Sequence, residues 1–331
     1  MKPLDIDNAQ IIRDFNNQYN KTKHKCMHDN CSSEAINSHC LQSNGILNQI
    51  SEKGHLISLA ANDVFERLKE DIKIEGKLIG INKVMTRKIF CEYHDTNLFK
   101  PIENADNVDF NSYSAFILMT YRTVCTELNV KQYAKLYAEY LYKHTTNYGI
   151  QQLLTLRAYI KGLKEGIVRI QKLKDALLNE INNLDRNLEK QFIYRYYEFD
   201  FLPICASAMF SNYTKEEAEN IGKDEIIPYY LIHVFTSDRK LKILVGYYKF
   251  KTLPRIVDYV NSWDRLSNEQ VGEKLTDLIA TKVERWCCSP SFYSQIDKDV
   301  RLKFESYFKK NAFNFSPHQK IDFNIFENYK S

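Results

Sequence analysis

KCMHDNCS (residues 25–32) and FCEYHDTNLF (residues 90–99) decide how the first third of this chain is read. Cys26 and Cys31 are separated by four residues, a spacing at which a single turn can aim two thiols at one ion. Cys91 and His94 are separated by two, as on a loop running into a helix. Two close pairs far apart in sequence can close a tetrahedral shell, and a set of thiolates and imidazole suits Zn2+. The expected structural zinc ligands are therefore Cys26, Cys31, Cys91 and His94. His28, His39 and Cys40 lie close by and compete for places in the same shell.

The region around these pairs is enriched in the same chemistry. Residues 21–110 hold five of the eight histidines and four of the eight cysteines. The opening MKPLDIDNAQ lacks the basic and apolar regions of a signal peptide, so a cytoplasmic location is expected, with the cysteines as thiols or ligands. No apolar run approaches the ~20 residues of a membrane-spanning helix, and no membrane partner is expected. A net charge of +4 is too small to mark a dedicated non-specific nucleic-acid binder. Local basic clusters flank the metal pairs, however: Lys21, Lys23, His24 and Lys25 on one side, Lys83, Arg87 and Lys88 on the other. The 22 tyrosines and 19 phenylalanines suit an aromatic core and surface, or a base-stacking face.

Outward from the metal pairs, the pattern predicts an α+β chain in three parts. Residues 1–110 form a zinc-binding, treble-clef-like domain, 111–192 a helical scaffold, and 193–331 a mixed region with antiparallel strands. In the first part, IIRDF reads as a short helix and SEAINSH as a strand or hairpin. A helical turn is expected around Leu47 and Ile50, then a strand from Leu56 to Leu59 after a turn at Gly54, then a surface insertion over 62–80. SYSAFILMTYRTVCTELNV and VKQYAKLYAEYLYKHTTNYG both have helical spacing, the second with a Tyr-rich face. Residues 151–190 predict an extended amphipathic helix or a helical hairpin, packed within the chain or against a second copy. FIYRYYEFDFLPICASAMF, EIIPYYLIHVFTSD and LKILVGYYKF read as strands, with a hairpin turn at Ser237–Lys240. VGEKLTDLIATKVERWCC reads as a late helix ending at Cys287 and Cys288, which are expected to pack rather than bind metal.

Cys26, Cys31, His39, Cys91 and His94 together resemble the HNH endonuclease family, over about residues 20–105. His39 stands at the end of an apparent strand, where that family keeps its catalytic histidine. Asp95 stands where the family often has a metal-binding histidine. The resemblance implies that His39 is a general base, and that Asp95 with Asn97 holds Mg2+ or another divalent cation. It implies DNA or RNA as the substrate, gripped by the local lysines and arginines. Three departures are visible: Ser38 replaces the usual acidic residue, the zinc set ends in histidine, and no middle asparagine stands out among Asn62, Asn82 and Asn97. CSSEAINSHCLQSNGILNQISEKGHL and FCEYHDTNLFKPIE also resemble accessory or effector proteins of bacterial antiviral systems, which implies a defence role.

The competing expectation is a non-catalytic, zinc-stabilised protein that binds a protein or nucleic-acid partner. A small-molecule enzyme in the C-terminal region ranks behind both. No Walker, dinucleotide or serine-elbow motif occurs, and Cys125, Cys205 and His233 read as core residues.

Overall fold

SAFILMTYRTVCT, at residues 114–126, is apolar on every side, the mark of a helix surrounded by protein. It belongs to a helix running without a break from Tyr113 to His144, with Ser112 Oγ accepting from the Ala115 amide at its start. Every residue from Ala115 to Thr126 is buried. The two expected helices are thus one, because no Pro or Gly interrupts them. The computed structural model describes residues 6–59, 75–103, 108–146, 148–186, 188–211, 216–217, 221–222, 225–311 and 321–329.

In chain order the helices are α1 (Ile6–Lys21), α2 (Glu92–Asn97), α3 (Lys100–Glu103), α4 (Tyr113–His144), α5 (Ile150–Ile181), α6 (Pro254–Asn261), α7 (Asn268–Thr281), α8 (Pro290–Gln295) and α9 (Lys298–Asn311). The strands are β1 (Asn37–His39), β2 (His55–Ser58), β3 (Lys77–Gly80), β4 (Thr86–Lys88), β5 (Phe192–Asp200), β6 (Ile204–Phe210), β7 (Tyr230–Ser237), β8 (Lys240–Tyr248) and β9 (Trp286–Cys288). A 3-10 turn at Leu47–Gln49 occupies the predicted helical turn, and Gly54, with φ +72°, makes the predicted bend before β2.

The strands form a seven-stranded sheet of order β3-β2-β9-β6-β7-β8-β5, antiparallel throughout, and a separate β1-β4 pair. The β7-β8 turn is the expected hairpin: Asp238 and Arg239 both have positive φ, 55° and 56°, as a two-residue turn matching the strand twist demands. Two expectations differ. Cys287 and Cys288 lie in strand β9, because α7 ends at Thr281 and the aromatic and thiol side chains of WCC pack both faces of the sheet. Of the expected insertion at 62–80, residues 62–74 lie outside the described residues, while Lys77–Gly80 is β3, paired to β2.

Alternation along the strands sorts the core into two layers. Cys205, Met209, Leu231, Phe235, Leu244 and Cys287 face α4, α5 and the metal-ligand region. Ile204, Ala206, Ile232, Val234, Ile243, Val245 and Cys288 face the C-terminal helices, with Trp263 and Trp286 fully buried among them. The architecture is therefore mixed α/β: an N-terminal metal-ligand cluster, two long central helices and an antiparallel sheet. None of the described helices is long and apolar enough to cross a membrane.

Candidate metal centre

The first ligand pair lies on a turn knitted by backbone hydrogen bonds. Cys26 N donates to Ser33 O (2.9 Å), Cys31 N to His28 O (3.3 Å) and Met27 N to Ile89 O (2.8 Å). Asn30 takes φ 59°, a left-handed conformation that asparagine tolerates better than most residues. Cys91 is the N-cap of α2, and His94 follows in its first turn. The Ile36 amide donates to Phe90 O (2.8 Å) and β1 pairs with β4, which sets the second pair beneath the first.

The three sulfurs and one imidazole nitrogen all lie within 4.8 Å of one another. Cys31 Sγ and Cys91 Sγ are 3.8 Å apart, and His94 Nδ1 is 3.5 Å from Cys26 Sγ and 3.3 Å from Cys91 Sγ. A zinc tetrahedron with Zn–S of about 2.3 Å and Zn–N of about 2.0–2.1 Å has S–S edges of about 3.8 Å and S–N edges of about 3.6 Å. The residues fit the ion in element and in spacing, as a structural zinc site requires. His28, beside His94 at a ring distance of 4.0 Å, is outside this set, and so are His39 and Cys40.

Charge at the site argues the same way. Burial pushes the Cys26 thiol up to about 11, although the amides of Cys91 and His28 pull it down. Such a thiol needs a cation beside it to become a thiolate near neutrality. The Ser33 amide lowers Cys31, and burial lowers His94, keeping its imidazole neutral and able to donate a lone pair.

Polar pairs fasten this module to the central helices. Asp29 pairs with the buried Lys174 of α5, and Tyr121 Oη of α4 lies 3.3 Å from His28 Nδ1. Arg122 of α4, almost wholly buried, contacts Glu103 Oε1 (2.6 Å) and Asp95 Oδ1 (3.7 Å) and covers the Phe99 ring at 3.9 Å. None of Arg122, Lys174 and Tyr121 is conspicuous in the sequence. Only the long apolar run that forces α4 inward hints that its few polar residues need partners.

The residues expected to do chemistry have other engagements. His39 ends β1 opposite Thr86, and its Nε2 donates to Ile81 O (2.9 Å). Asp95 faces Arg122, and Asn97 Nδ2 donates to Tyr93 O one turn back in α2 (3.0 Å). Asn82 lies in the turn between β3 and β4, and Asn62 lies outside the described residues. Among the described residues, no second group of three or more His, Cys, Asp or Glu ligand atoms comes together. No known protein family, curated protein or solved structure matches this chain.

Proposed function

We propose that this chain is a non-catalytic binding protein whose N-terminal module, treble-clef-like in its order of knuckle, strand pair and helix, is held by one structural zinc. The observation that carries the reading is a contrast. Three thiols and an imidazole nitrogen gather at the spacing of a zinc tetrahedron's corners, while His39 and Asn97 are hydrogen-bonded to backbone carbonyls and Asp95 lies 3.7 Å from the guanidinium of Arg122. A hydrolytic metal site needs a carboxylate free to take a hard cation. Here the guanidinium of the buried Arg122 lies 3.7 Å from Asp95 Oδ1, and its positive charge opposes a second cation at the same carboxylate. The zinc then contributes stability and orientation, and recognition falls to the surfaces the module and long helices build.

The test combines metal content with cleavage. Purified chain should carry one zinc per molecule and leave single- and double-stranded DNA and RNA intact with Mg2+ or Mn2+. Cleavage that depends on added Mg2+ and disappears in a zinc-replete His39→Ala variant would restore the HNH-type nuclease and end the binding-only reading.

A further inference from the structure

A cleft of about 780 Å³ opens between α1, α4, α5 and the turn that carries Cys26. Its volume is that of a ligand site, within the ~300–1,000 Å³ range such clefts occupy. The Tyr-rich face of α4 forms the floor, with Tyr133 and Tyr140; Tyr19 of α1 makes one wall. His144 stacks on Tyr140 (4.0 Å between centroids, 23° between planes), and its side chain is exposed, leaving its outer face open. Gln18 and Gln132 line the cleft, and their amide side chains have no hydrogen-bond partner among the described residues.

The charges in the cleft are unevenly balanced. Glu139 is its acid, and Lys164 (3.2 Å) and Lys135 (3.8 Å) already neutralise it. Lys174 is matched by Asp29. Lys25 and Lys143 line the cleft, exposed and without an ion-pair partner among the described residues. Arg87, at the margin of the cleft on β4, sits over Tyr133 with its guanidinium 5.9 Å from the ring and has no ion-pair partner among the described residues. One basic cluster thus places Lys25 in the cleft lining, and the other places Arg87 beside it, over the ring of the lining residue Tyr133.

We infer that this cleft binds single-stranded nucleic acid: a base stacks on the His144–Tyr140 pair, the free amides meet base edges, and Lys25, Lys143 and Arg87 take the flanking phosphates. The inference deepens the binding-protein reading above and rests on it. Planar stacking faces beside unpaired cations are the combination a single strand uses. An acidic peptide would satisfy the cations and the amides but leave the exposed face of the His144 ring without a planar base to stack on. A duplex, with its bases already stacked, could not enter a cleft of this size.

The experiment uses the full, zinc-loaded chain and anisotropy of fluorescein-labelled oligouridylate and oligothymidylate, with uridine monophosphate, a labelled duplex and polyglutamate as comparisons. Saturable strand binding is expected, tighter than to monophosphate, duplex or polyglutamate. His144→Ala with Tyr140→Leu should weaken it about tenfold, since stacking contributes ~1–3 kcal/mol per base. Lys25→Gln with Lys143→Gln, both at exposed sites, should lower the salt slope of log Kd by about 1.4, at roughly 0.7 per phosphate contact on a single strand. Melting curves and zinc content confirm that each variant is folded. Absence of strand binding, affinity unchanged in both variants, or equal binding of polyglutamate or monophosphate overturns the assignment. Gels of the same samples separate the two readings. A strand left intact but unbound sinks the cleft alone, whereas a strand bound here and cut with Mg2+ sinks the non-catalytic reading and keeps the cleft.

Discussion

Arg122 and His233 are buried polar residues with opposite solutions to burial. Arg122 has its charge compensated by Glu103 and Asp95 and lies on the ring of Phe99. Arg122→Ala would leave two carboxylates together without a cation and expose one face of the ring. We expect a loss of about 3 kcal/mol in denaturant unfolding at saturating zinc, the scale for breaking a buried pair; a loss below about 1 kcal/mol would mean the clamp is mostly solvated. His233 stays neutral instead. It is fully buried on β7, with Thr120 Oγ1 3.0 Å from Nε2 and Ser207 Oγ 2.9 Å from Nδ1, and Thr123 Oγ1 2.6 Å from Ser207 Oγ. Burial lowers it to about 3 from an ordinary 6.5. The unfolded chain therefore binds a proton that the folded chain refuses between pH 6.5 and about 3, and stability falls as pH drops through that window. The slope for this one group approaches about 1.4 kcal/mol per pH unit. Comparing acid titrations of unfolding for the native chain and His233→Gln isolates it from the zinc ligands, which both proteins share; parallel curves would refute the assignment. The four zinc donors were readable in the sequence because each pair is local. The partners of Arg122, Asp95 and His233 were not, because they come from separate elements and no spacing rule links them.

Elements show the same division between local and distant information. The β7-β8 hairpin is announced by two apolar runs around a tight turn, and its register follows from the positive-φ residues Asp238 and Arg239. Nothing local announces that β2 leaves the metal-ligand region to join β9, where Ile57 pairs with Cys288 and Ser58 Oγ donates to Trp286 O (3.0 Å). That union depends on two short strands, HLIS and WCC, finding each other across most of the chain, and WCC reads locally as the end of a helix. The closeness of α4 to the sheet is equally hidden, but one residue betrays it in hindsight. Gly246 interrupts the apolar strand β8, and a Cβ there would lie 2.3 Å from Ile193 O and 2.6 Å from the Phe116 ring of α4. A backbone oxygen cannot yield as a flexible side chain could. Gly246→Ala should therefore force strand β5 and helix α4 apart and cost at least about 3 kcal/mol, the upper end for overpacking. Thermal unfolding measures it, and a variant as stable as the native chain would mean that the helix–sheet spacing is looser than described.

At the scale of the whole molecule, the question is how far the metal's influence reaches. The core layer containing Cys26 and Cys91 is continuous with Leu56 of β2, with Phe116 and Tyr121 of α4, with Leu173 of α5, and with Phe235, Leu244 and Cys287 of the sheet. The metal-ligand region also supplies β2 and β3 to that sheet. Losing the ion would uncover buried thiols and free the turn that holds Asp29 against Lys174, so the disturbance enters the shared core rather than stopping at a linker. We expect removal of zinc by a chelator to lower the melting temperature of the entire chain in one transition. Zinc at about a thousand times its Kd adds about 4 kcal/mol, which at ~2–4 °C per kcal/mol for a large domain is a shift on the order of 10 °C. The chain carries its own probes for the two ends. Its two tryptophans, Trp263 and Trp286, are fully buried in the layer on the far side of the sheet from the metal ligands. Zinc release, followed with a colorimetric chelator, reports the near side, and tryptophan emission reports the far side. Coincident transitions would show one cooperative unit coupled through the sheet. If zinc leaves well below the temperature at which tryptophan emission changes, the metal-ligand region opens on its own, and the zinc governs only the cleft beside it.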